Sequence, residues 1–165
     1  MDIVSALEPE YVWLTSGVGR WTNEVSAEAL AKRAAGIDIF KIVKVMRLVN
    51  TPLKLIGREE FIERSRGTKY AYMYGGVQQL EDGETANGSV SVITTDSWSG
   101  LSFDIHIGEK KTVPFSERSV VADFELQHTG ISPRPFTKLE SLRRKDPRTN
   151  YCLIIGAMVI GKPKT

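Results

Sequence analysis

Between Gly88 and Gly108 the chain alternates in polarity twice. Val90 and Val92 stand against Ser89 and Ser91, and Leu101, Phe103, Ile105 and Ile107 stand against Ser102, Asp104 and His106. A period of two is the mark of a strand with one buried and one wet face. The polar residues Asp96, Ser97 and Ser99 and the terminal Gly100 between the runs suit a hairpin loop better than a crossover. The pattern therefore commits this part of the chain to an antiparallel pair, over residues 89–107, and predicts a meander around it.

A chain of 165 residues is one domain by size. Its 41% hydrophobic and 25% charged residues match globular averages and argue against disorder, collagen-like repeats or coiled coil. A formal charge of +2 is too small to draw nucleic acid or anionic lipid to the whole surface, so any such attraction must come from a local patch. The lone cysteine, Cys152, lies in the apolar run Tyr151–Ile155; it reads as a buried structural thiol and points to a reducing, cytoplasm-like compartment. Residues 1–10 carry Asp2, Glu8 and Glu10 and no secretory pattern, so no signal peptide is expected. The longest apolar stretch, Tyr151–Ile160, is about half the roughly 20 residues of a membrane-spanning helix, and none is expected.

Upstream of the hairpin, residues 1–21 mix apolar side chains with Pro9, Gly17 and Gly19 and read as an irregular arm, with a short strand at Tyr11–Thr15. Residues 23–66 read as mainly helical. Asn23 or Ser26 as N-cap, Glu24 and Glu28 early, Lys32 and Arg33 late and Gly36 as stop predict a helix over Asn23–Ala35. Charges at Asp38, Lys41, Lys44 and Arg47 recur every three residues, which favours a second amphipathic helix over Ile37–Val49 against a β-branched composition that favours a strand. Arg58–Arg66 reads as a short charged helix. Residues 69–160 read as mainly β: Lys69–Leu80 with a bulge or bend at Gly75-Gly76, the hairpin, an edge segment at Val113–Phe115, a strand at Val120–Gln127 and a last apolar strand at Tyr151–Ile160.

The densest chemical signal is basic. Lys138, Arg143, Arg144, Lys145 and Arg148 fall within eleven residues, opposed by Glu140 and Asp146, and that density can neutralise phosphates of RNA or of lipid headgroups. Against this stands a plain solvated loop. Tyr70, Tyr72 and Tyr74 share one strand face beside Lys69 and could stack bases, although aromatics on a strand more often pack in a core and no RNP-type signature is present. Asp104 and His106, with Asp123, Glu125 and His128 nearby, could form a metal or acid-base site, but two histidines without HxH or HxxxH spacing favour cross-strand hydrogen bonding instead. Ser16-Gly17-Val18-Gly19-Arg20 contains GxG and a cation yet lacks the rest of a dinucleotide or phosphate loop, so its glycines read as loop hinges. Cys152 lacks the cations of a reactive thiolate, and no GxSxG elbow occurs.

These readings combine into an α+β domain spanning 1–165, with N-terminal helices packed on the inner face of a mostly antiparallel sheet. The expected function is non-enzymatic: a structural or assembly protein, of the general kind of a viral matrix or coat protein, that forms a homo-oligomer through edge strands and contacts RNA or an anionic membrane surface through Lys138, Arg143, Arg144, Lys145 and Arg148. Two rivals stand beside it, an RNA-binding module that adds Tyr70, Tyr72 and Tyr74, and a small enzyme on the Asp104, His106 and Glu125 face. No cofactor, metal or small-molecule substrate is implied.

Overall fold

The computed structural model describes residues 7–37, 48–49, 51–66, 71–94, 96–108 and 136–163. The element order is β1 (Leu7–Trp21), α1 (Glu24–Ala35), β2 (Leu48–Val49), β3 (Lys54–Leu55), α2 (Arg58–Ser65), β4 (Ala71–Leu80), β5 (Thr85–Thr94), β6 (Ser99–Gly108), β7 (Phe136–Arg143) and β8 (Asn150–Pro163). The expected helix over Ile37–Val49 falls largely outside these residues, as do Val113–Phe115, the strand at Val120–Gln127, and Tyr70.

The described strands form two four-stranded sheets, ordered β3-β1-β8-β4 and β2-β6-β5-β7. This overturns the expected α+β arrangement of helices on one sheet: the described structure is mostly β. The hairpin is there, with Val90 opposite Phe103 and Val92 opposite Leu101. Its apolar face, however, is covered by the other sheet rather than by helices. Val90, Val92 and Leu101, with Phe103 and Ile105 alongside, share one core with Tyr72, Tyr74, Ile155, Ala157 and Val159. Nor is it a meander, since β4 belongs to the first sheet and β5 to the second, and residues 81–84 carry the chain between them. Tyr74 meets Phe103 edge to face across the layer, ring centroids 5.1 Å apart.

Both described helices lie on the far side of the first sheet. There Ala27, Ala31 and Ala35 of α1 and Phe61 of α2 join Trp13, Met73, Cys152, Ile154 and Met158 in a second apolar layer. This explains why β8 reads as an unbroken apolar run: one side faces the second sheet and the other faces α1, so neither side meets water.

Over residues 7–21 the irregular arm anticipated for 1–21 is instead the longest of the described strands, and residues 1–6 lie outside the described residues. β1 pairs with β8 from Leu7 opposite Pro163 to Trp21 opposite Asn150, with one irregularity between Pro9 and Tyr11. Gly17 and Gly19 are not hinges. A Cβ on Gly17 would strike the Ala31 carbonyl and lie 2.5 Å from the Ala35 nitrogen, and one on Gly19 would strike the Ala27 carbonyl. The glycines remove side chains where the α1 backbone rests directly on the strand, and alanines at 27, 31 and 35 do the same from the helix side. Thr15 Oγ1 then donates to Ala35 O at 2.7 Å and fastens the helix end.

α1 begins and ends as its sequence predicts. Asn23 Oδ1 accepts from the Ser26 N–H at 2.8 Å, and Gly36, at φ 78°, donates its N–H to the last turn. The bulge expected at Gly75-Gly76 is absent, because β4 runs in continuous register with β8 from Ala71 opposite Ile160 to Leu80 opposite Tyr151.

Where the chain passes from the second sheet to the first, a ring of hydroxyls holds it. Thr94 Oγ1 donates to Leu53 O at 2.8 Å, so the 2.7 Å bond between Thr94 and Ser99 takes its proton from Ser99. Ser99 Oγ in turn accepts the Leu53 N–H at 2.6 Å. Both backbone groups of the buried Leu53 are satisfied without a ladder partner.

Candidate anion-binding pocket

At one end of the sandwich the two sheets present cations to a common hollow of about 370 Å³, lined by Arg20, Thr85, Ser141, Leu142, Arg143, Lys145 and Tyr151. Strand register puts them there. Arg20, next to last in β1, lies opposite Tyr151 of β8, and Arg143 ends β7 opposite Thr85 of β5. Leu142 and Tyr151 are buried and form the floor, while Arg20, Ser141, Arg143 and Lys145 are exposed around it. The Arg20 guanidinium lies over the Tyr151 ring, 5.2 Å from its centroid, which orients its donors without neutralising it.

The turn after β7 fixes the rest. Arg144 points inward: Nη1 donates to Leu80 O at 2.9 Å and Nη2 to Pro147 O at 2.7 Å, while its backbone N–H donates to Glu84 O at 3.0 Å. Asp146 accepts the Arg148 N–H at 2.9 Å and the Thr149 hydroxyl at 3.2 Å. Those hydrogen bonds, the Arg148 backbone donor first, hold the Asp146 carboxyl below its ordinary pKa, so the turn is built around an ionised carboxylate. Lys145, between the two, is thus carried on a closed loop beside Arg143.

The five basic residues singled out in the sequence therefore separate. Arg143 and Lys145 line the hollow, and neither makes an ion pair among the described residues. Arg144 is a structural clamp. Arg148 lies 3.7 Å from Asp146 with its side chain almost fully exposed, and Lys138 sits farther up β7, opposite Val90. Sequence reasoning overlooked Arg20, whose signal was present as the cation closing Ser16-Gly17-Val18-Gly19-Arg20; what it lacked was the β1–β8 pairing that brings residue 20 to residue 151.

Of the aromatic row, Tyr72 and Tyr74 are core. Tyr72 is fully buried and Tyr74 nearly so, both between the sheets, where no base can reach them. Burial pushes the Tyr72 hydroxyl up to about 12 and leaves its Oη without a hydrogen-bond partner. Asp104 and His106 do share a face, opposite Ser89 and Asn87. That face is not wholly wet as expected, since Ser89 and Ser91 are fully buried at its centre and Ser89 Oγ has no partner. Asp123, Glu125 and His128 lie outside the described residues, among which no cluster of His, Cys, Asp and Glu could hold a metal. Cys152 is buried beneath α1, and burial pushes its thiol up to about 12, the reverse of a nucleophile's setting. No described helix is long and apolar enough to cross a membrane.

A second hollow, of about 270 Å³ and lined by Glu10, Tyr11, Arg64, Ile160 and Gly161, differs in that its cation is already engaged. Arg64 Nε donates to Glu60 at 2.7 Å and its guanidinium stacks 4.1 Å from the Tyr11 centroid. The glutamate bond chiefly, with Tyr11 and Glu10 adding to it, raises the Arg64 pKa.

No family model matches the sequence. Over 59 residues the chain is 37% identical to pyruvoyl-dependent arginine decarboxylase 2 of Archaeoglobus fulgidus, a stretch that covers 36% of this chain and 38% of that protein. The similarity is thus to well under half of an enzyme.

Proposed function

We propose that this is a non-enzymatic binding protein whose anionic partner presents a phosphate or carboxylate to Arg20, Arg143 and Lys145. The convergence of one cation from the first sheet, one from the second and one from the turn after β7 on a single hollow carries this reading. Two guanidinium groups supply planar pairs of donors suited to a tetrahedral or carboxylate oxyanion, an ammonium adds a third charge, and Ser141 and Thr85 add hydroxyls at the rim. A local site of this kind needs no net charge on the whole molecule, which is only +2.

Titration with inorganic phosphate and with a short oligouridylate, read by tryptophan fluorescence because the exposed Trp21 adjoins Arg20, tests the reading. Neutralising one phosphate of a single strand in the hollow gives a slope of about −0.7 in log K against log salt, and each of Arg20→Ala, Arg143→Ala and Lys145→Ala should weaken binding and flatten that slope. Binding indifferent to salt and to all three substitutions would refute it.

The similarity to a decarboxylase favours a second reading, in which the hollow takes the carboxylate of an amino acid. A pyruvoyl group is made from a serine of the chain itself, with the backbone cut before that serine. Among the described serines, Ser89, Ser91, Ser99 and Ser102 are buried within paired strands, and Ser65 is tied into α2 with Oγ donating to Ile62 O at 2.9 Å. Ser141 reaches the hollow, but it lies inside β7 with Oγ donating to Asn87 Oδ1 at 2.6 Å, and a cut there would sever the strand that supports Arg143. These six of the nine described serines do not fit the group, and no step is derived through it. Intact mass of the purified protein separates the readings: one 18.4 kDa chain supports binding without self-processing, whereas two fragments with release of carbon dioxide from L-arginine would establish the enzyme.

A further inference from the structure

β7 ends the strand order of its sheet, so among the described residues one edge of Phe136–Arg143 has no partner strand. Sheet edges are normally blunted by charge, proline or a covering element, because an open row of backbone donors and acceptors invites pairing. Here the edge carries two large apolar side chains in water, Phe136 at 55% exposure and Leu139 at 53%. Lys138 and Glu140 flank Leu139 and share the opposite face of the strand.

We infer that β7 pairs antiparallel with β7 of a second copy of this chain, about a two-fold axis through Leu139. An axis normal to a continuous sheet sets each residue opposite one from the same face, so the axis must pass through a residue. Through Leu139, Lys138 faces Glu140 of the second copy and, by symmetry, Glu140 faces Lys138. Thr137 then faces Ser141, Phe136 faces Leu142, and the two exposed Leu139 side chains meet on the axis. Passing the axis through Glu140 gives equal overlap of the described strand but sets that carboxylate against itself, and passing it through Lys138 sets two ammonium groups together. Like charges directly opposite oppose pairing, and unlike charges favour it. Glu140 already accepts from Ser16 Oγ at 3.2 Å, and a carboxylate retains lone pairs for a lysine besides. Main-chain bonds along the shared edge supply the association, and the charge pattern selects its register.

The interface shares Ser141 and Leu142 with the hollow but is made without an anion, so its test needs no ligand. Sedimentation equilibrium of the full chain should show a dimer. Lys138→Glu and Glu140→Lys should each weaken it on the order of tenfold, since each replaces two attractive pairs by two repulsive ones. The double variant, K138E with E140K, should restore the original constant to within about threefold. Lys138 is exposed and Glu140 half-buried, and circular dichroism will show whether the fold of each variant is intact. A monomer at every concentration, a dimer indifferent to the single substitutions, or a folded double variant that stays dissociated would each overturn the proposal.

Discussion

Replacing Gly19 by alanine adds one methyl group at the place where α1 touches β1 most closely. The new Cβ would collide with the Ala27 carbonyl and lie 2.5 Å from the Ala31 nitrogen, and both obstacles are backbone. No rotamer change or smaller neighbour relieves such a contact, so the helix must retreat by roughly 1 Å, a gap that forfeits a quarter to a half of the dispersion energy between the surfaces that part. The surfaces at stake include Ala27, Ala31, Cys152, Ile154 and Met158, all fully buried. Overpacking of a tight core commonly costs 1–3 kcal/mol, and a backbone obstacle places this case at about 3. Urea unfolding followed by circular dichroism should show the midpoint falling at constant m-value. Adding Ala27→Gly should not restore it, because the carbonyl remains. An unchanged midpoint for Gly19→Ala, or full recovery in the double variant, would refute direct backbone-to-backbone packing of α1 on β1.

Arg144→Ala should destabilise the fold by about 2–3 kcal/mol in the same assay, because it removes donors to Leu80 O and Pro147 O that tie the β7–β8 turn to the end of β4, whereas Arg143→Ala should leave stability within about 0.5 kcal/mol. Ser99→Ala opens the hydroxyl ring and strands the buried Leu53 N–H, at a cost of about 1–3 kcal/mol in thermal or chemical unfolding. The Cys152 thiol, neutral in the fold up to about pH 12 against 9.0 for the free group, should resist a disulfide exchange reagent until the chain unfolds. Its linkage has a definite sign: the contribution is fully present below pH 9 and is lost between pH 9 and about 12, as the unfolded chain ionises and the folded one does not. A stability profile that is steeper in Cys152→Ala than in the parent over that window would contradict the assignment.

Local rules succeeded where local forces decide. Asn23, Gly36 and the charge order between them specify α1 at both ends, and the alternation from Ser89 to Ile107 specifies β5 and β6 to within a few residues. They failed at β1, because Pro9, Gly17 and Gly19 are loop residues by local preference, and what makes them a strand is a helix lying on two of them and a partner strand far along the chain. They failed again in choosing what covers the hairpin, since a strand face records that it is buried but not whether helix or sheet buries it. At the hollow, density of charge drew attention to the turn after β7 without separating its members: Arg144 looks like its neighbours in sequence, and only the carbonyls of Leu80 and Pro147 distinguish a clamp from an exposed cation.

The pairing of β1 with β8 joins strands more than a hundred residues apart, and it sits in the middle of its sheet rather than at an edge. During synthesis β1 therefore emerges long before its principal neighbour exists, able to hold α1 but with an unfilled slot where β8 belongs. β4 meets the same delay, since its ladder too is made with β8. The first sheet is thus completed by insertion of its last-made strand between two waiting ones, a step that closes the longest loop in the molecule and that topology marks as slow. A ribosome paused before residue 150 would display an incomplete sheet, with the apolar sides of β1 and β4 uncovered, and this interval is when the chain most needs protection from aggregation.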